Sequence, residues 1–203
     1  MAKLYFRYGA MNAAKTLNLL AVAHNYKQQG KRVLLLKPAL DDRFGRDDIV
    51  SRSGLRARAD LLVDASTRLE LDALRGLDGI LADEVQFFPV PVIEQLRVVT
   101  LRLDIPVICY GLRTDFRSRA FPASLRLLEL ADSIEEVKVT CHDCDRKAVF
   151  NLRCERGRAR LDGPSVVLGD ALYMAVCGRH YLERLGREGL QPWALPRLPP
   201  DEE

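Results

Sequence analysis

Short apolar runs, separated by longer segments with helical patterns, dominate the first two thirds of the chain. Four of these runs combine β-prone residues with flanking glycine or proline and predict buried strands at 3–8, 32–37, 79–83 and 106–111. The segments that predict helices are 13–29, 68–77, 90–103 and 123–131. Strands that alternate with helices predict an α/β fold with a parallel sheet and helices on both faces.

The pattern changes near Glu136, where short β-prone runs and turn residues follow as far as about Leu168. This change predicts a small accessory lobe. Residues 191–203 are too proline-rich for a helix or a central strand, and we expect the tip of this segment to be mobile. The predicted organisation is an α/β domain at 1–136, the lobe at 137–192 and a tail at 193–203.

The length, composition and charge of the chain limit the classes of protein to which it can belong. A chain of 203 residues allows one main domain and a small second lobe. Its 48% hydrophobic and 29% charged residues are typical of a folded soluble protein. The apolar runs are shorter than the roughly 20 residues that cross a bilayer, and the first residues do not resemble a signal peptide, so we expect a cytoplasmic protein. The net charge of +3 is too weak to indicate nucleic-acid binding by itself.

The first candidate site joins the first predicted strand to the first predicted helix. It consists of Gly9, Ala10, Met11, Asn12, Ala13, Ala14, Lys15 and Thr16. Backbone N–H groups at a helix start bind phosphate oxygens, while the lysine reaches the β- and γ-phosphates and the threonine ligates Mg²⁺. The segment predicts a P-loop NTPase-type ATP site; an ordinary helix start with a chance Lys-Thr pair is the alternative.

Ala14 departs from the usual phosphate-loop pattern, which has glycine before the lysine. Alanine is strained there if the backbone needs a positive φ, and costs little if the backbone is near-helical. The sequence leaves both conformations open.

Asp83 and Glu84 follow an apolar predicted strand. Because ligands bind at the carboxyl ends of parallel strands, Asp83 is a candidate Mg²⁺ residue. Strand side chains alternate between faces, so we expect Glu84 to point away from Asp83 and to act as a separate general base. A solvated acidic turn is the alternative.

Two pairs of short-spaced ligands predict a metal site. Five cysteines, an odd number, make a complete disulfide framework unexpected. Cys141, Cys144, Cys177 and His180 have the spacing of a closed tetrahedral Cys₃His site, which predicts structural Zn²⁺. His142 fits less well because it adjoins Cys141. Cys109 and Cys154 are expected to be free thiols.

Together these motifs resemble the zinc-containing (type II) thymidine kinases over nearly the whole chain. Further matching segments are 37–44, 83–88, 111–116 and 168–173. The resemblance implies an α/β ATP-binding domain, a zinc lobe with a lasso loop over the nucleoside, and a homotetramer. Besides Ala14, Asp170 departs from the family pattern, in which a second glycine commonly follows Gly169.

The resemblance also implies roles for individual residues. Glu84 is the base, Asp83 assists Mg²⁺, and Lys15 and Thr16 serve the phosphates and the metal. Gln86 belongs to the nucleotide site, and Arg43 and Arg153 are expected near phosphates. The thymine enclosure is implied to consist of Met11, Leu112, Phe87, Phe116 and Phe121. The lasso is implied at about 151–173, where backbone groups near Val167 and Gly169 recognise the base edge and Tyr173 assists.

The implied activity is transfer of the γ-phosphoryl group of ATP to the 5′-hydroxyl of thymidine, and also of deoxyuridine. The partners are then thymidine and Mg-ATP, with no membrane and no nucleic acid. The main competing hypothesis is a P-loop ATPase whose zinc lobe binds nucleic acid through the arginines of 153–160. A structural zinc protein that has lost catalysis is the third.

Overall fold

A six-stranded sheet forms the centre of the computed structural model, which describes residues 1–163 and 172–186. The strands lie side by side in the order β5 (Leu61–Val63), β2 (Val33–Pro38), β6 (Gly79–Ala82), β7 (Val107–Gly111), β1 (Leu4–Tyr8) and β8 (Ser133–Glu136). Every neighbouring pair is parallel, so all six carboxyl ends meet at one edge of the sheet. The predicted α/β class is confirmed.

Helices pack on both faces of this sheet. They are α1 (Lys15–Gln28), α2 (Val90–Leu103) and α3 (Pro122–Leu130). Because strand side chains alternate, each buried strand contributes to two cores. Leu36, Ile80 and Cys109 belong to the core under α2 and α3, and Leu35 and Leu81 to the core under α1. None of the helices within the described ranges is long and apolar enough to span a bilayer.

A separate three-stranded antiparallel sheet carries the second half of the site. Its strands have the order β10 (Arg158–Arg160), β9 (Phe150–Glu155) and β11 (Leu172–Val176), and α4 (Gly178–Leu185) follows. Leu152, Val176 and Tyr181 form its small core together with three of the cysteines. The predictions for Val167, Gly169, Asp170 and the C-terminal tail fall on residues outside the described ranges.

The helix predicted at 68–77 is wrong, because the structure has only a 3₁₀ turn at Leu71–Leu74. The N–H of Leu69 donates to the side chain of Gln95 at 2.7 Å, and that of Ser66 donates to Asp64 at 2.8 Å. The backbone on either side of the turn is not helical, with ψ 110° at Glu70 and 137° at Arg75, so the helical conformation is confined to four residues.

A hairpin, β3 (Asp48–Val50) with β4 (Arg56–Arg58), was not predicted and neither were strands β5 and β8. These four strands have three or four residues each, and several of their positions are polar and exposed. So short a segment carries almost no periodic signal.

Candidate active site

A cavity of about 480 Å³ lies at the carboxyl ends of the central strands, where ligands bind in open parallel sheets. Its walls are the β1–α1 segment, the residues after β6 and β7, and the β3–β4 hairpin. The sequence-predicted site residues that line it are Met11, Asn12, Ala13, Ala14, Lys15, Thr16, Arg43, Asp83, Glu84, Gln86, Phe87, Leu112, Phe116, Phe121 and Tyr173. The cavity therefore brings together the predicted phosphate, acidic and aromatic groups.

Lys15 is the buried cation at the start of α1. Its ammonium donates to the carbonyl of Ala10 at 2.9 Å and to that of Gly9 at 3.2 Å, so the loop curls around it. Burial lowers the pKa of the ammonium, and the carboxylates of Glu84 and Asp83 act in the opposite direction. Gly9 and Ala10 do not line the large cavity. They contribute backbone that holds the lysine.

Ala14 has φ 56° and ψ 26°, which is the left-handed conformation. The position therefore needs a positive φ, and of the two conformations that the sequence left open the strained one is correct. A left-handed L-residue costs roughly 1–2 kcal/mol because Cβ crowds the carbonyl. Asn12 is also left-handed, with φ 67°, but asparagine tolerates this conformation better.

Gly9 meets a different constraint, which is space. A Cβ at this position would lie 2.4 Å from the carbonyl oxygen of Val137 and 2.9 Å from the Cβ of Ala13. Real Cβ atoms do not approach backbone so closely. The start of the phosphate loop is therefore packed directly against the backbone that follows β8.

Asp83 and Thr16 form the candidate magnesium site. The Thr16 hydroxyl donates to Oδ2 of Asp83 at 3.0 Å, and the carboxylate is buried. Burial and the neighbouring charge of Glu84 raise the pKa of Asp83 to about 7. A carboxylate and a hydroxyl are hard oxygen ligands of the kind that Mg²⁺ uses beside phosphates, so this pair fits the metal.

Glu84 does not point away from Asp83, and the expectation from strand alternation is wrong. Strand β6 ends at Ala82, and Glu84 is left-handed with φ 48° and ψ 39°. This turn places both acids in the lining of the same cavity. Non-glycine residues in this conformation are typical of functional sites where the surroundings impose the strain.

Two side chains hold the Glu84 carboxylate. Arg43 donates to Oε1 at 2.8 Å, and Gln86 donates to Oε2 at 2.5 Å. Arg43 also donates to Asp41 at 2.7 and 3.0 Å. Gln86 in turn accepts from the backbone N–H of Leu112 at 2.9 Å. The carboxylate is therefore oriented through both the β2 and the β7 ends of the sheet.

An aromatic group closes the other end of the cavity. Phe87 and Phe121 meet edge to face with centroids 5.8 Å apart, and the centroids of Phe116 and Tyr173 are 6.4 Å apart. Phe116 is 1% exposed. Flat apolar walls of this kind suit a planar heterocycle.

The four predicted zinc ligands converge. The ligand atoms of Cys141, Cys144, Cys177 and His180 all lie within 4.8 Å of one another. Nδ1 of His180 is 3.4 Å from Sγ of both Cys141 and Cys177, and the Cys144 and Cys177 sulfurs are 3.9 Å apart. Ligands about 2.0–2.3 Å from a tetrahedral zinc lie roughly 3.5–3.8 Å apart. The observed spacing therefore fits zinc.

Two residues that sequence reasoning missed connect the zinc lobe to the cavity. Asn151 accepts from the N–H of Met11 at 2.7 Å and donates to the carbonyl of Thr114 at 3.2 Å. Tyr181 donates to the carbonyl of Phe116 at 2.6 Å. No sequence motif marks them, because each role depends on a partner at least 37 residues away.

Two of the four arginines in the segment 153–160 are paired with other groups of the chain. Arg153 is buried, donates to the carbonyl of Asp162 at 3.0 Å, contacts Glu155 and stacks 5.3 Å from the centroid of Phe116. It is not among the described residues that line the cavity. Arg160 lies 3.9 Å from Glu155 and 3.7 Å from Asp162. These acids weaken the positive field, and the nucleic-acid hypothesis is not favoured.

Comparisons with known proteins agree with these motifs. A family model described as thymidine kinase matches residues 2–181. The thymidine kinase of Francisella tularensis subsp. tularensis is 42% identical over 194 residues, covering 90% of this chain and 98% of that protein. The thymidine kinase of Enterobacteria phage T4 is 38% identical over 188 residues, covering 90% and 97%. That of Chromobacterium violaceum is 43% identical over 181 residues, covering 88% and 97%.

Among solved structures, Pif1 helicase from Candida albicans aligns with a TM-score of 0.41 and 11% identity, over 67% of this chain and 36% of that one. This likeness is too weak to bear on function. The match to the family model and the three relatives confirm the resemblance inferred from the motifs. The chain belongs to the thymidine kinase family.

Proposed function

We propose that this protein is an ATP-dependent thymidine kinase that forms dTMP and ADP. One observation carries the proposal within the family: Lys15, Asp83 and Glu84 line the same cavity as an aromatic enclosure for a base. Phosphoryl transfer needs little more from a protein than alignment of the hydroxyl with the γ-phosphorus and neutralisation of charge.

At the end of the cavity that would bind the phosphates, each residue has a separate proposed role. Lys15 and the N–H groups that begin α1 bind the phosphate oxygens. Thr16 and Asp83 would hold Mg²⁺, which neutralises charge on the β- and γ-oxygens when it is bound. Arg43 donates to one oxygen of Glu84 and so orients the proposed base.

Glu84 accepts the proton of the 5′-hydroxyl while that oxygen bonds to the γ-phosphorus. The bond from the γ-phosphorus to the β–γ bridging oxygen breaks, and ADP leaves with the electron pair. Gln86 and Arg43 keep the carboxylate oriented towards the cavity throughout.

The aromatic end gives the selectivity. Phe87, Phe116 and Phe121 supply flat apolar walls for a ring. We assign this end of the cavity to the pyrimidine because the relatives of this chain are thymidine kinases. We assign recognition of the base edge to backbone groups near Val167 and Gly169, with Tyr173 beside the nucleoside. Deoxyuridine differs from thymidine by one methyl group, so it is also a substrate.

The rest of the proposal concerns organisation. Residues 1–136 bind ATP, and residues 137–192 carry one structural zinc on Cys141, Cys144, Cys177 and His180 together with the lasso. The protein assembles as a homotetramer and acts in the cytoplasm. Sedimentation equilibrium of the zinc-loaded protein gives the subunit number directly, and a monomer or dimer would contradict the assembly.

The test is direct. The purified protein is incubated with Mg-ATP and each deoxynucleoside separately, and monophosphate products are separated and quantified. We expect dTMP from thymidine, dUMP from deoxyuridine and little product from purine deoxynucleosides. ATP hydrolysis that is stimulated by DNA and unaffected by thymidine would contradict the proposal.

A further inference from the structure

The β3–β4 hairpin forms a wall of the cavity that none of the motifs includes. Its turn, residues 51–55, contributes Ser51, Arg52 and Ser53 to the lining. This places Arg52 at the same cavity as Lys15 and Thr16, although 35 residues of sequence lie between Thr16 and Arg52.

The hairpin is anchored to the central sheet. The buried ammonium of Lys37, on β2, donates to the carbonyl of Asp48 at 2.9 Å and to that of Gly45 at 3.3 Å. The turn is closed by the N–H of Ser51, which donates to the carbonyl of Leu55 at 2.8 Å. Arg52 therefore projects from a braced turn.

The cations of the cavity differ in how they are paired. Lys15 and Lys37 donate to backbone carbonyls, and Arg43 is bonded to Asp41 and Glu84. Within the described ranges, no hydrogen bond or ion pair joins Arg52 to another residue of the chain.

The position of Arg52 also brings like charges together. Burial is the main cause of the lowered pKa of Lys15, and the charge of Arg52 adds to it. Two cations that face one cavity repel each other until an anion lies between them. The terminal phosphates of ATP are such an anion.

We infer that Arg52 binds the β- and γ-phosphate oxygens of ATP from the side opposite Lys15. The inference rests on the proposed function, since it takes ATP as the donor. A guanidinium presents N–H groups in a planar fork that matches two phosphate oxygens at once. The same contact stabilises the charge that is spread over the γ-phosphoryl oxygens during transfer.

Arg52→Gln tests this, with Arg56→Gln as the matched control. Arg56 lies on the same hairpin, is exposed, loses the same charge and is not part of the cavity lining. Calorimetry measures the binding of AMP, ADP and a non-hydrolysable ATP analogue with Mg²⁺. For Arg52→Gln we expect roughly 10- to 100-fold weaker binding of the analogue and little change for AMP. Arg52→Lys should recover part of the loss, and Arg56→Gln should bind all three like the wild type.

Unchanged binding of the analogue by Arg52→Gln would overturn the inference. An equal loss of affinity for the analogue in Arg56→Gln would also overturn the inference, because the loss would then follow from the lower net charge of the protein and not from a contact of Arg52. The binding measurements do not depend on thymidine turnover. A wild-type protein that binds the analogue and makes no dTMP would contradict the proposed function and leave the test of Arg52 intact.

Discussion

Glu84 combines a strained backbone with a carboxylate that is held at both oxygens, by Arg43 and by Gln86. Each oxygen keeps a second lone pair that can accept a proton. Glu84→Gln preserves the shape of the side chain and removes the proton acceptor. We expect kcat to fall about 10²- to 10⁴-fold with modest changes in KM. Initial rates at saturating thymidine and Mg-ATP measure this. A kcat near that of the wild type would exclude Glu84 as the base and leave alignment and charge stabilisation as the whole of catalysis.

Ala14 provides a test of backbone strain. Ala14→Gly relieves the left-handed conformation, and we expect the free energy of unfolding to rise by about 0.5–1 kcal/mol after the entropy cost of glycine. Thymidine binding should be unchanged, and ATP binding should improve. Ala21→Gly, at an exposed position inside α1, should instead lower the free energy of unfolding by about 1 kcal/mol. Urea unfolding of both variants checks the opposite signs, and equal ATP affinity in Ala14→Gly and the wild type would reject a cost to binding.

Asp83 predicts a pH dependence of stability in the metal-free protein. Its pKa is raised to about 7 from an ordinary value of 3.8. Because the folded protein holds this proton more tightly than the unfolded chain, the contribution is complete below about pH 4 and is lost as the pH rises through 7. Asp83→Asn removes this dependence.

The measurement is urea unfolding in EDTA at several pH values. Relative to Asp83→Asn, the wild type should lose a few kcal/mol between about pH 4 and pH 7. At pH 8, Mg²⁺ should restore part of this difference in the wild type only, and kinase assays of Asp83→Asn should require more Mg²⁺ for half activity. If the free energies of unfolding of the wild type and of Asp83→Asn changed equally with pH in EDTA, this result would contradict the raised pKa of Asp83.

At the scale of elements, the zinc lobe supports the phosphate loop through Asn151, which bonds to Met11, and supports the aromatic wall through Tyr181. Cys144→Ser should therefore lower the zinc content below the proposed one ion per chain, reduce the melting temperature and weaken ATP binding. Cys154→Ser is the matched control, because Cys154 is a free thiol in the same lobe and not one of the four ligands.

Metal analysis, thermal melts and calorimetry report the three effects separately. A Cys144→Ser protein that retains stoichiometric zinc would remove Cys144 from the site. Loss of zinc without any loss of ATP affinity would contradict the connection through Asn151. If the zinc-depleted protein kept its ATP affinity, Asn151→Ala should also bind ATP as tightly as the wild type.

The elements also show what local patterns can predict. Strands β1, β2, β6 and β7 are mostly apolar and were predicted from that pattern, and helix α2 (Val90–Leu103) matches its predicted bounds. Patterns fail where tertiary partners decide, as at the short strands β5 and β8, which are strands because they pair with β2 and β1. Glu84 shows the same limit at a smaller scale, since one left-handed residue changes the direction of the side chain.

For the whole molecule, spacing and order were enough to predict the two parts of the site, because each motif is contiguous or paired over a few residues. The hairpin wall and the contacts of Asn151 were not predictable. They depend on which strand ends meet at one edge of the sheet, and that follows from the strand order and not from any local pattern.

Gly9 has a consequence for how such a chain can diverge. At position 14 the demand is conformational, so a side chain is admitted at an energetic cost, as the alanine itself demonstrates. At position 9 the demand is steric, and the carbonyl of Val137 occupies the place of any side chain. We expect a substitution at position 14 to change the affinity of the loop for nucleotide. A substitution at position 9 would instead push the loop away from the backbone at Val137, which leads into the zinc lobe. Substitutions can therefore be tolerated at position 14 and not at position 9, although both positions belong to the same short loop.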